Sequence, residues 1–371
     1  MNVLLRLPLT ICAIFSLLLG GCASTDTIRG QLSYDLRPEG VRSAAFWPPA
    51  PDTPRYRYIG ELIGEPNFVQ TKKSQITLTV AFKWIVGLFE TNNPVMLQRP
   101  QHGAVSDGGR IYVVDAGRNA VLVFDSKPPP DDDSDNKEGH MLVWQLAGKN
   151  IKFLAPVALA IVWNGDIVVS DAELGVVARL NDKGQPVGML GAGQLQRPTG
   201  LAFDGKRGLL FVADTVANQI KVFDGTGQLV KTFGAPGAGK GEFNAPTHLA
   251  FSDGQLLVTD TFNSRVQVFD TEGHYLREFG ERGLFVGNLV RPKGVAFGDS
   301  GIVYVVESYY GNLLAYNKQN ELLLAITGSG LKGGGFRLPS GVWTDKKGRL
   351  FIADMFNGRV VMFQFISPDE G

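Results

Sequence analysis

Cysteine is the scarcest residue of this 371-residue chain, occurring only as Cys12 and Cys22, and Cys12 lies within an apolar N-terminal stretch. That scarcity excludes a disulfide framework and a cysteine metal cluster, and leaves no thiol nucleophile if Cys22 is modified. Histidine is almost as rare: His102, His140, His248 and His274 are the full set. An excess of one charge is also missing, since 36 basic residues face 36 acidic ones. The molecule as a whole therefore carries no field that would seek a polyanion. Neither a strand–turn–helix nucleophile motif nor a phosphate-binding loop is present. What the chain does have is glycine, 46 of them, which suits an all-β protein with many tight turns.

The first residues read as a targeting segment. MNVLLRLPLTICAIFSLLLGGCAS has a short basic region with Arg6, an apolar stretch to Leu19, and small residues before Cys22. Leu19-Gly20-Gly21-Cys22 resembles the lipobox of bacterial lipoproteins, which implies a signal peptide over 1–21 and lipidation of Cys22. An ordinary secretory signal or an uncleaved anchor is the simpler alternative. Ala23 and Ser24 follow; by the same resemblance, the absence of an Asp there implies transport to the outer membrane. Residues 22–54, with five prolines and few apolar clusters, read as an extended tether.

From there the chain repeats one unit. QLLVTDTFNSRVQVFD, Gln255–Asp270, recurs as RIYVVDAGRNAVLVFD, LLFVADTVANQIKVFD and RLFIADMFNGRVVMFQ, with blurred copies at Asp166 and Ile302. The acids that end its first run are Asp115, Asp171, Asp214, Asp260, Glu307 and Asp354, separated by 56, 43, 46, 47 and 47 residues. A strand-rich repeat of that period marks a propeller. The expected fold is all-β: a six-bladed β-propeller of four-stranded antiparallel blades. Each repeat opens with a Pro before an apolar strand, as in RPTGLAF and RPKGVAF, where a missing N–H is tolerated. Gly103, Gly200, Gly294 and Gly341 suit a crowded innermost strand.

The final repeat stops after its third strand near Phe365, while RYRYIGELIG, Arg55–Gly64, is a spare strand at the other end. Pairing the two would close the ring and remove its edges. Three further stretches stand apart. Gln70–Glu90 places Ile76, Val80, Trp84 and Leu88 on one helical face, to pack on the propeller or to meet a membrane or partner, although QITLTV leaves a strand open. Ser126–Gly139 is an acidic, Pro-rich loop whose aspartates lack the Gly-centred spacing of a calcium loop. Residues 367–371 form a C-terminal tail.

The Pro-Xaa-Gly-Val-Ala-Phe opening, the Leu-Xaa-Val-Ala-Asp strand end and the Asn-Xaa-Arg-Val-Xaa-Val-Phe-Asp strand resemble the NHL repeat over residues 55–366. The likeness fades at Asp166–Asn181, where Ala158 replaces the Gly, and at Ile302–Asn317, where Glu307 replaces Asp. It implies a propeller around a central channel, a binding platform in most members of that family and an enzyme in a few, so fold leaves function open.

Candidate sites follow from where the copies differ. The recurring Asp and Asn serve a turn that every blade must make, and read as structural. His248 takes the slot that is Gly elsewhere and His102 lies beside its own Gly, so both belong at the channel mouth. NHL-like amidating lyases hold zinc with histidines in this region, but a catalytic zinc wants three protein ligands, and only two histidines are offered. Calcium-dependent lactonases place acids in the channel, for which Glu307 is the candidate. Arg99, Arg197 and Arg291 precede the opening prolines and would share one face with the acidic turns, bonding between blades or capturing an anionic ligand. Phe262, Tyr309, Tyr310 and Phe356 lie in those turns, where the strand pattern does not require them, and would form an apolar patch of the composition found at binding hot spots.

The sequence therefore favours a lipid-anchored, extracytoplasmic propeller that binds an envelope protein or a small ligand, with membrane attachment through its lipid and no nucleic acid partner. It would sit on the periplasmic face of the outer membrane or at the cell surface. No cofactor is required, and catalysis is left open. The competing expectation is a metal-dependent propeller enzyme, amidating-lyase-like or lactonase-like, using zinc or calcium in its channel.

Overall fold

The computed structural model describes residues 27–37, 46–69, 93–129, 138–326 and 335–366. Six antiparallel sheets are arranged as blades. Their innermost strands are Pro100–Val105, Pro156–Ile161, Pro198–Asp204, Pro246–Ser252, Pro292–Phe297 and Val342–Thr344, defining blades 1 to 6. Each innermost strand contacts the next, and that of blade 6 contacts that of blade 1, so the ring is closed. The predicted helix over 70–90, the segment 1–21 with Cys22, the aspartates of the acidic loop and the tail 367–371 lie outside the described residues.

Blade 4 shows the unit. Pro246–Ser252, Gln255–Asp260, Arg265–Asp270 and Tyr275–Phe279 pair in that order from the channel outward. Pro246 stands opposite Asp260 and Asp260 opposite Arg265, so the start of the first strand and the turn between second and third share one face, here called upper. The second strands are buried along their whole length because both sides of each middle strand face a neighbouring blade. In blade 6, Leu350 and Ile352 pack toward blade 5, while Phe351 and Ala353 pack toward blade 1. A strand buried on two sides reads as a continuous apolar run rather than an alternation, which is why LLFVAD and RLFIAD look alike. Burial of one such Phe contributes about 1.5–3 kcal/mol.

The innermost strands leave no room for side chains where glycine recurs. A Cβ on Gly200 would lie 2.6 Å from the His248 Cα, and one on Gly341 would lie 2.2 Å from the Gln101 carbonyl oxygen. These close approaches hold the inner strands together around the channel.

The spare N-terminal strand closes the ring as expected. Tyr56–Leu62 pairs antiparallel with Arg359–Phe365, with Tyr56 opposite Phe365 and Leu62 opposite Val360. Tyr56 is buried and its hydroxyl lies 3.0 Å from that of Tyr304 in blade 5. The expectation of an extended tether over 22–54 needs correction, because part of that stretch is incorporated in the fold. Ile28–Leu32 pairs with Gly139–Trp144 as a fifth strand of blade 1, and Phe68–Val69 pairs beyond it. Phe46–Trp47 adds to the outer edge of blade 6. IRGQL is short and half polar, so its sequence carries no strand period, and pairing with an available blade edge decides its structure.

Candidate functional site

The six repeat acids are buried at equivalent places. Asp115 accepts hydrogen bonds from the backbone N–H groups of Gln98 (2.6 Å), Arg99 (3.1 Å), Gly117 (2.8 Å) and Arg118 (3.0 Å). Such a carboxylate fastens the loop arriving from the previous blade to its own blade, through the turn in most blades and, for Asp214, through Lys221 Nζ at 2.7 Å on the third strand. Asp260 and Asp354 do so with side chains as well: Asn263 and Arg265 donate to Asp260, and Asn357 and Arg359 donate to Asp354, all at 2.8 Å. In blades 1 and 3 the turn asparagines, Asn119 and Asn218, instead take the left-handed conformation, at φ 50° and 56°. In blades 4 and 6 that place passes to Ser264 and Gly358. The shift is legible in the Asp-to-Asn spacing, four residues in the first pair and three in the second.

Glu307 belongs with these latches. Its carboxylate accepts N–H groups of Arg291 (2.7 Å) and Tyr310 (2.6 Å), with Val290 and Tyr309 at longer range. It does not face the channel, which corrects the expectation that it could hold a metal there. The longer side chain reaches the same two backbone segments that Asp reaches elsewhere.

His102 and His248 meet inside the channel. They come from opposite blades, and their rings lie 6.4 Å apart, with the Trp343 ring 5.7 Å from His102. Three imidazole nitrogens, His102 Nδ1 and both of His248, are buried without a hydrogen-bond partner in the protein. Burial pushes the His102 imidazole down to about pKa 4, against a backbone hydrogen bond to Leu159 that raises it. Burial likewise holds His248 well below the usual range, helped by His102 and the Lys293 ammonium. Both rings are therefore neutral near pH 7 and have lone pairs that could bind a metal. Among the described residues no third His, Cys, Asp or Glu joins them; the matching slots hold Ala158, Gly200, Gly294 and Gly341.

The upper face holds the other candidates. Arg99, Arg197 and Arg291 are exposed, as is Arg337. Among the described residues, none of these four guanidinium groups makes a hydrogen bond or an ion pair, so they do not bond between blades. Phe262, Tyr309 and Phe356 are 61%, 61% and 53% exposed. Phe262, Tyr309, Tyr310 and Arg291 share the wall of one cavity of about 380 Å³ between blades 4 and 5, together with Arg282 and Leu284. Phe356, Arg99 and Arg197 stand apart on the same face. The sequence reading missed the loop tip Leu284-Phe285-Val286, exposed at 85%, 83% and 65%. Its signal was there: three successive apolar residues in GERGLFVGN, between Gly280 and Pro292, where no strand requires them.

The opposite face differs. None of the hairpins that cross it, such as 106–109, 204–208, 252–255, 270–274 and 345–348, carries an exposed large apolar residue. A hollow of about 620 Å³ lies there between blades 1 and 2, but its Arg110 is already paired with Asp125 at 2.7 Å and donates to the Asp182 carbonyl.

A closed ring of six such sheets around a central channel defines a six-bladed β-propeller. The NHL repeat model matches residues 195–223 and 243–269, within blades 3 and 4. No curated protein matches the chain by sequence. Among solved structures it resembles virginiamycin B lyase from Staphylococcus aureus, at 16% identity and TM-score 0.51, covering 72% of this chain and 96% of that one. A streptogramin B lyase structure gives 14% identity and TM-score 0.53, covering 74% and 96%. A nidogen/laminin complex gives 16% and 0.50, covering 68% and 84%. At such identities the likeness is one of fold, shared by lyases and by a component of a protein complex alike.

Proposed function

We propose that this protein is a lipid-anchored, extracytoplasmic binding platform of the bacterial envelope, held by Cys22 and working through its upper face. The observation that carries this reading is the asymmetry of the ring. The exposed Phe262, Tyr309, Tyr310 and Phe356 and the 284–286 tip lie on the upper turns and linkers, while the lower hairpin turns carry no exposed large apolar residue among those described. Other exposed aliphatics, such as Val187, Val230, Leu276 and Leu323, lie along the outermost strands. Apolar surface concentrated on one face and rimmed by free arginines has the composition of a contact surface.

The test is photo-crosslinking in the native envelope from probes placed at Tyr309 and Phe356, with a lower-face probe at Lys346 as control. Adducts are expected from the first two positions and not from the third. Equal or absent labelling from the upper positions would refute the platform. Replacing Cys22 by Ser should leave only attachment that a wash at about 0.5 M salt removes, whereas the lipidated protein resists that wash; a Cys22→Ser protein that resists it must have another anchor.

A second reading, a metal-dependent channel enzyme, draws support from the facing His102 and His248 rings. Zinc in stoichiometric amount in purified protein, lost in His248→Ala, would establish it. A metal-free protein whose stability is indifferent to zinc would end it.

A further inference from the structure

We propose that the upper face lies on the surface of an anionic lipid bilayer, with the Leu284-Phe285-Val286 tip dipping into the interface. The inference rests on the lipid-anchored reading above and names what the platform's face meets. Three independent features of the molecule lead to it.

First, the exposed apolar residues of the turns and linkers run around the upper face rather than collecting at one point, and the others lie along the outermost strands. Leu146, Ile151 and Leu154 follow blade 1, Val216 lies on blade 3, Phe262 and the 284–286 tip on blade 4, Tyr309 on blade 5 and Phe356 on blade 6. Apolar residues spread over a whole face match a plane. Tyr is enriched where headgroups meet acyl chains, and Phe and Leu are side chains that interfacial segments bury there.

Second, the cations of this face outnumber its anions. Arg99, Lys149, Lys152, Arg197, Lys240, Arg282, Arg291 and Arg337 are all exposed. Apart from the buried latches, the carboxylates of the described upper loops are Glu65, Glu173, Glu242 and Glu281, of which Glu65 accepts the Val95 N–H at 2.9 Å and Glu242 the Gly239 N–H at 2.8 Å. The whole chain is neutral, so this excess is local. A Lys or Arg held near an anionic leaflet contributes about 1 kcal/mol, and long basic side chains let the apolar tips sink while their charged ends stay with the headgroups.

Third, the chain arrives from this side. Ile28 stands opposite Met141 and Gly30 opposite Gly139. Gly139–Trp144 runs toward the upper face, so its antiparallel partner Ile28–Leu32 has Ile28 at its upper end and runs away from that face. Six residue steps separate Cys22 from Ile28, a reach of about 20 Å when extended. A lipid on Cys22 would hold the rim of the upper face close to the bilayer.

The test uses the full chain carrying Cys22→Ser, so that lipid cannot supply the attachment, in sedimentation with two kinds of vesicle. One is phosphatidylcholine with phosphatidylglycerol; the other is phosphatidylcholine alone. Binding is expected to the first and to fall at least about tenfold on the second, and likewise as salt is raised to about 0.5 M. Leu284→Ser with Phe285→Ser, and separately Arg282→Glu with Arg291→Glu, should each weaken binding about tenfold or more. Lys346→Glu on the lower face should change nothing. Because all the altered side chains are exposed, melting temperatures should match the parent and exclude misfolding. No partition to anionic vesicles, or a partition that ignores the upper-face changes, overturns the inference. Protein adducts from Tyr309 alongside such a result would leave the platform standing with a protein as its occupant.

Discussion

A chain lacking residues 1–63 is expected to lose cooperative unfolding and to associate instead of remaining a monomeric ring. The deletion removes Tyr56–Leu62, which supplies the outer partner of Arg359–Phe365. It also uncovers the outer side of that strand, which then presents unpaired N–H and C=O groups to other chains. Burial of Tyr56 and Leu62 at about 1.5–3 kcal/mol each, together with the ladder hydrogen bonds, amounts to roughly 10 kcal/mol. That is comparable with the entire stability of a typical domain, about 5–15 kcal/mol. Size-exclusion chromatography and urea unfolding report the outcome. Because the deletion also removes Ile28–Leu32 from the edge of blade 1, a peptide spanning residues 27–64 added in trans should restore the monomer. A truncated chain that remains monomeric with a single sharp transition would show that the closing strand is dispensable.

Replacing Asp260 by Ala should cost about 3–5 kcal/mol in urea unfolding, the range for stripping a buried charge of its partner. Arg265 would be left buried without the carboxylate that its Nε contacts at 2.8 Å, while Asn263 and the Asn244 N–H lose an acceptor. Glu278, 2.9 Å from the other arm of Arg265, offsets part of the loss but is itself partly exposed. Glu307→Ala should destabilise through the same mechanism, because several backbone N–H groups lose their acceptor, at about 1–3 kcal/mol for each that stays buried and unpaired. Neither change should alter the metal content of the protein. If Asp260→Ala unfolds at the parent's urea concentration, the latch role assigned to all six acids is wrong.

The repeat made the architecture readable. Period, strand-opening prolines and the unpaired final repeat led to a six-bladed ring closed by residues near 55–64, and the backbone pairing bears this out. Ile28–Leu32 was not readable, because a short polar strand is selected by the blade edge it meets rather than by its own pattern. The candidate residues were harder still. Substitution of Glu for Asp at position 307 looked like a departure with a purpose, yet its carboxylate does the work of its five counterparts. His102 and His248 are 146 positions apart in the chain, and only ring closure brings blades 1 and 4 face to face across a channel. The arginines could have been paired or free; the sequence reading left both open, and their side chains stand unpaired on the upper face. Arg282 and the tip beside it were passed over because they lie in a linker outside the repeating unit, although that is where side chains escape the constraints common to all blades.

The closing strand also sets a schedule. Its seven residues are synthesised early, and the strand they pair with is completed roughly 300 residues later. At about 5–20 residues per second, the first partner waits on the order of 15–60 s for the last, even before any export step. During that interval the five earlier blades can form their local hairpins, but the ring cannot shut. The most non-local contact in the molecule is thus the final one, and loop-closure entropy is met only at that point. Until Arg359–Phe365 is available, Tyr56–Leu62 has no ladder partner within its own chain, and that edge is the one another copy would reach first.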